Sequence, residues 1–115
     1  MRDHTKLRAF VLADEVAILT YNETKGFPKD EIYGLTSQMR RAAVSVPSNI
    51  VEGCARESQV ERELHYQFSL SNRLGYLHEN NFIRCESKLV ESEKVLGGLI
   101  RSLRNPNRLQ SKQPK

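Results

Sequence analysis

The residues of this 115-residue chain that could do chemistry are arginines, one histidine and a proline. Arg73 and His78 enclose four residues in RLGYLH. An arginine and a histidine at that distance could stabilise and protonate a phosphoryl transfer. Arg40 and Arg41 are adjacent, and on a helix neighbours point ~100° apart, so they cannot share one flat contact. One is expected to bridge to an acid on a neighbouring helix while the other faces a partner. Just beyond them Arg41, Ser45, Ser48, Glu52 and Arg56 step by 4, 3, 4 and 4, a polar stripe on a helix. Glu52 and Arg56 form a favourable i,i+4 pair in it. Pro47 interrupts the stretch. A proline removes one hydrogen bond and crowds the carbonyl of Ala43, at a cost of about 3 kcal/mol in a helix interior. It persists where the helix must bend or where the freed carbonyl finds another donor. Ser45, Ser48 and Asn49 are close enough to organise such bonds. The stretch therefore reads either as a kinked surface helix with solvated charges or as a contact surface for another subunit or for RNA.

Other chemistries lack their residues. His4, His65 and His78 share no metal-ligand spacing with each other or with Cys54 and Cys85. The chain has no glycine-rich phosphate loop and no nucleophile elbow. Tyr33, Tyr66 and Tyr76 are scattered and make no stacking platform. Two cysteines without CxxC spacing argue against a disulfide framework and for a reducing cytoplasm. No run approaches the ~18 apolar residues of a membrane span. The opening MRDHTKLRAF carries charges where a signal peptide needs an apolar core. No cofactor, metal or membrane is expected.

The net charge of +4 is concentrated at one end. Residues 101–115 hold Arg101, Arg104, Arg108, Lys112 and Lys115 and no acid, leaving 13 basic against 14 acidic side chains in residues 1–100. The body is nearly neutral. Residues 105–115 have almost nothing to bury and read as a disordered basic tail.

Apolar spacing sets the elements that carry these residues. Phe82, Cys85, Leu89, Ser92, Leu96, Leu99 and Leu103 step by 3 and 4 in turn, the seam of a helix packed on helices. Ile83, Val90 and Ile100 broaden that face beyond a two-stranded seam, which favours a bundle. This helix spans about 79–104, and Gly97 and Gly98 within it are tolerable only where a neighbour packs closely. A first helix spans about 5–24 with Leu7, Phe10, Val11, Ala17, Ile18 and Tyr21 on its buried side. KGFPKD breaks the chain. A second helix spans about 31–56 with Ile32, Leu35, Met39, Ala42, Val46, Ile50 and Cys54 inward. Ser58 and Glu61 form a capping box that opens a third helix, about 59–75, through Leu64, Phe68 and Leu74 to Gly75. No segment alternates with period two. Four helices on short connections make an antiparallel up-down bundle over residues 1–104. Helices two and four would each run ~39 Å, helix one ~30 Å and helix three only ~25 Å, which leaves one wall short.

The run FPKDEIYGLTSQMRRAAVSVPSNIVEG, with LGYL and LGGLIRSLR further on, resembles the 23S rRNA intervening-sequence protein family over roughly residues 3–104. That resemblance implies an antiparallel four-helix bundle assembling as a cyclic homopentamer with a partly basic surface. It also implies a cytosolic protein without enzymatic activity. Related accessory proteins of diversity-generating retroelements bind a reverse transcriptase and nucleic acid. The family usually carries an extra stretch between SQVE and ELHYQFSLSNRLGYL, where this chain has only Arg62 and shares Glu63. Either helix three is short here or the chain omits a piece. His78 stands where a serine or acid would cap helix four.

The expected protein is thus a non-enzymatic, homo-oligomeric adaptor that binds structured RNA or a nucleoprotein partner. Arg40, Arg41, Arg56, Arg101 and Arg104 are its nucleic-acid candidates, and Ser45, Pro47, Ser48, Asn49 and Glu52 its oligomer-interface candidates. The alternatives are an RNA-processing nuclease of the HEPN kind using Arg73 and His78, from which Gly75 separates them by ending the helix, and a purely structural oligomer.

Overall fold

A computed structural model describes residues 4–53 and 59–104, and among them every regular element is a helix. Cys54, Arg56, Ser58 and the tail 105–115 lie outside the described residues. The four helices are α1 (His4–Thr24), α2 (Leu35–Val51), α3 (Gln59–Arg73) and α4 (Glu79–Arg104), with a 3-10 turn at Lys29–Glu31. α1 packs on α2 and α4, and α3 packs on α2 and α4, so each helix has two neighbours around a shared core.

Each break in the chain has a local cause. Buried Thr20 and Thr24 turn their hydroxyls back to the carbonyls of Val16 and Thr20, both at 2.7 Å, which satisfies them inside an apolar interior. α2 begins later than the expected 31. Glu31 instead swings its carboxylate over the start of α2, where Oε1 accepts from the Leu35 N–H at 3.1 Å. A Cβ at Gly34 would meet that oxygen at 2.8 Å, so a larger residue there would push the carboxylate aside. The other carboxylate oxygen accepts from the Tyr76 hydroxyl at 2.9 Å, which ties the turn before α4 to the start of α2. α2 also ends before the expected 56, because Gly53 takes a φ of 76°, a conformation costly for residues with a Cβ. α3 closes in the same way at Gly75 (φ 82°). The Tyr76 N–H reaches the Ser71 carbonyl at 2.9 Å and the Gly75 N–H the Asn72 carbonyl at 3.1 Å, the paired bonds of a Schellman stop.

The short α2 changes the expected proportions. At ~1.5 Å per residue α4 runs ~39 Å and α1 ~32 Å, while α2 runs only ~26 Å and α3 ~23 Å. Two walls are short, not one. The core forms two clusters along the helices. One is centred on Met39, Leu64, Phe68 and Leu89, with Phe27 and Leu77 in its cover. The other gathers Ala9, Ala13, Val46, Ile50, Leu96 and Leu99.

Several residues assigned inward by spacing lie outside. Leu7, Val11, Ile18 and Tyr21 of α1 are 42–56% exposed, while Ala9, Leu12, Ala13 and Val16 face the core with Ala17. Ile32, Leu74, Ile83, Val90 and Leu103 are exposed too. Among the described residues the Arg101 guanidinium is what lies within 4 Å of the missing Cβ positions of Gly97 and Gly98, at 3.5 Å and 3.8 Å, and not a neighbouring helix.

Candidate interaction surface

The stretch AFVLADEVAIL makes α1 apolar on two sides. One side fills the core. The other is a ladder of Leu7, Val11, Asp14, Ile18 and Tyr21 at steps of 4, 3, 4 and 3, the spacing of a helix seam, and Asp14 is its one polar rung. A helix apolar on both sides belongs in an interior. In a single chain the second side of α1 faces outward.

Beside that ladder α1 and α2 leave a groove of about 370 Å³, lined by Phe10, Asp14 and Ala17 from one helix and Val44, Pro47, Ser48, Val51 and Glu52 from the other. The backbone stays helical through Pro47, whose ring is buried beside the groove. Ser45 Oγ donates to the Ala42 carbonyl at 2.8 Å, one residue short of the carbonyl that Pro47 leaves without its usual donor. Of the interface candidates, Pro47, Ser48 and Glu52 line the groove. Ser45 is half-buried and bonded to its own helix, and Asn49 is exposed away from the groove lining. Val44 and Val51, which sequence reasoning passed over, supply the apolar rim, 43% and 54% exposed.

Apart from Asp14 and Glu52, charge is arranged around this face and not on it. Arg8, Glu15 and Glu23 sit on the other flank of α1 and pair with α4. The Glu91 carboxylate accepts from Arg8 at 3.4 Å, Lys88 Nζ lies 2.7 Å from Glu15, and Arg84 lies 3.5 Å from Glu23. The bond to Glu15 raises the Lys88 ammonium above its ordinary value. One of Arg40 and Arg41 is expected to bridge to an acid, and among the described residues Arg40 instead meets a hydroxyl and a ring. The Arg40 Nε donates to Thr24 Oγ1 at 2.9 Å and its guanidinium lies 4.8 Å from the Tyr21 ring centre. This fixes Arg40 at one end of the face through a hydroxyl and a π surface. Arg41 is exposed one step round the helix. Arg101 and Arg104 are exposed on the last turn of α4, and Arg56 lies outside the described residues.

Arg73 and His78 lie on either side of the turn between α3 and α4. Arg73 ends α3 with its guanidinium 5.6 Å from the Tyr66 ring. His78 is exposed, and its carbonyl accepts from the Phe82 N–H at 2.8 Å at the head of α4. The Schellman stop at Gly75 stands between them. The seam of α3 with α4 holds a cluster that sequence reasoning missed. His65 Nδ1 lies 2.6 Å from Glu93 Oε1 and Nε2 3.1 Å from Glu86 Oε2, while Glu61 is buried close by. The signal for it was the i,i+4 placement of Glu61 and His65 on one helix. Among the described residues no group of three His, Cys, Asp or Glu side chains could hold a metal. Cys85 is a buried thiol pushed up to about 11 by desolvation, the inert kind. No helix among the described residues is long and apolar enough to cross a membrane.

Compared with known sequences, the family model described as 23S rRNA-intervening sequence protein matches residues 5–98. No curated protein matches the chain.

Proposed function

Since the chain belongs to the 23S rRNA-intervening sequence protein family, we propose that it is a non-enzymatic, homo-oligomeric adaptor. The ladder on α1 and the groove beside α2 are its self-docking face. The observation that carries this reading is the outward stripe of Leu7, Val11, Ile18 and Tyr21, half exposed on a helix whose opposite side already fills the core. The helices run up and down in antiparallel order. The ion pairs support this, because partners fall from Glu91 to Lys88 to Arg84 along α4 as they rise from Arg8 to Glu15 to Glu23 along α1. Copies close into a ring of five, the cyclic homopentamer that the family resemblance implies. The ring brings together one copy each of Arg40, Arg41, Arg101 and Arg104 from every subunit. A mildly charged patch repeated around an axis makes a field that a single copy cannot.

The partner is structured RNA or an RNA-bound protein, in keeping with the family's name. The molecule works without a catalytic centre and resides in the cytoplasm. Light scattering on the purified chain should give a mass several times 13.2 kDa. RNA binding measured by filter retention should fall steeply with added salt, because the gain from releasing counterions shrinks as salt rises, and it should be lost when the ring is broken. A chain that is monomeric at micromolar concentration would sink the assembly. Salt-insensitive binding would remove the role of the arginines.

A further inference from the structure

Buried charges in proteins are paired, and Glu61 departs from that rule. It lies in the first turn of α3, is 1% exposed, and has no hydrogen-bond partner for either carboxylate oxygen among the described residues. Ser92 on α4 is the polar group acting on it, and the Ser92 hydroxyl is buried and unpartnered as well. Glu93, next along α4, adds a second carboxylate whose charge opposes that of Glu61. One turn further along α3, His65 is held between Glu93 and Glu86 of α4. From α1 and α2 the residues packed with neighbouring Val60 are apolar: Ala9, Ala13, Val46 and Ile50. The charges that α1 turns toward α4, Arg8 and Glu15, are paired with Glu91 and Lys88. Glu52 beyond α2, Arg62 and Glu63 on α3, and Lys94 on α4 are exposed.

We propose that Glu61 and His65 make the α3–α4 seam a pH-sensitive latch, clamped when both hold a proton and loosened as both lose it. Protonated Glu61 is neutral and gains an O–H to donate within the seam, where its carboxylate has no hydrogen-bond partner among the described residues. Protonated His65 is a cation between two carboxylates of α4, donating from both ring nitrogens. Deprotonation reverses both. A bare carboxylate then faces Glu93 in an apolar seam, and a neutral imidazole can donate to only one of its two partners. Burial pushes the Glu61 carboxyl up to about 7, with Ser92 drawing it back a little and Glu93 adding to the rise. Burial opposes the proton on His65, but its hydrogen bonds to Glu86 and Glu93 outweigh that and raise it above the ordinary histidine value.

The two groups act in one direction. Glu61 holds its proton more tightly folded than unfolded, so its stabilisation is complete below the ordinary glutamate range and is lost as pH rises through about 7. That of His65 is present below the ordinary histidine value and is lost as pH climbs past its raised one. α3 is the element released. Among the described residues it is the shortest of the four helices, with 15 residues, and packs on α2 and α4 alone.

Native-state hydrogen exchange on the full chain tests this, with rates corrected for the intrinsic effect of pH. Between about pH 6 and about pH 8, protection of the α3 amides should fall by about tenfold or more relative to α1. Glu61→Gln keeps the shape and removes that group's titration, so the fall in its α3 protection should shrink to the smaller part that His65 supplies. His65→Gln should remove the remaining, smaller part of the slope. Equal protection of wild-type α3 at both pH values overturns the latch, and so does a parallel fall in Glu61→Gln. If that variant fails to fold, the Glu61 carboxyl can be titrated by carbon NMR in the wild-type chain. A midpoint near 7 supports the latch, and one below about 5 refutes it. Subunit number does not enter either measurement.

Discussion

α1 meets its two neighbours along seams that are finished in opposite ways. Toward α4 the rim is charged: Arg8, Glu15 and Glu23 each have a partner across the seam. Toward α2 the rim is apolar: Val11, Ile18, Val44 and Val51 stand 43–56% exposed, and the polar groups are pushed to its ends and to Asp14. Both seams close over the same core, so the core cannot explain the difference. Ion pairs finish a rim that stays wet, where each is worth little. An apolar rim costs solubility unless something covers it. The difference separates a rim closed by ion pairs from the rim on which the proposed self-docking face lies.

The comparison is broken most sharply by charging the apolar rim. Val11→Asp with Ile18→Asp should weaken self-association by at least ~100-fold, since covering the exposed parts of two aliphatic side chains contributes ~1 kcal/mol each and buried acids add a desolvation penalty. Light scattering across a dilution series reads this as loss of mass. The far-ultraviolet helix signal should persist, because neither side chain is in the core. An intermediate effect is expected where Arg40 pins the end of the apolar rim. Arg40→Ala removes the hydrogen bond to Thr24 and the contact with Tyr21, at a cost of ~1 kcal/mol in chemical denaturation. The smallest effect belongs to the finished rim. Lys88→Ala breaks the pairs with Glu15 and Glu91, yet should cost no more than ~0.5 kcal/mol, less in high salt, and leave the subunit number unchanged. A change of mass on Lys88→Ala would show the assignment of the two rims to be reversed.

Much of the architecture was legible beforehand. Four helices and no strand follow from apolar spacing alone, because period 3.6 leaves a pattern that period 2 cannot imitate. The break at KGFPKD and the stop at Gly75 were readable as well. The site was only half legible. Pro47, Ser48 and Glu52 line the groove, but the ladder on α1 was read as core because Leu7, Val11, Ile18 and Tyr21 have the spacing of a buried seam. The truly buried side of α1, with its alanines and threonines, looks poorer in apolar residues. Small residues mark close helix approach, which composition hides. The late start of α2 was unreadable for a different reason: Glu31 caps it from outside through a glycine, a pairing of side chain with backbone that no periodicity records. Glu61 was read as the acid of a capping box, and only the packing of α3 on α4 shows it turned inward.

The sequence by itself determined that this chain is helical and that it divides into four helices, with the third stopping at Gly75. Only the tertiary structure decided which side of α1 faces the core, and that a glutamate lies unpaired within the α3–α4 seam. Periodicity fixes each side chain relative to the axis of its own helix. How far each helix turns about that axis against its neighbours is settled by packing, and packing depends on all the helices at once.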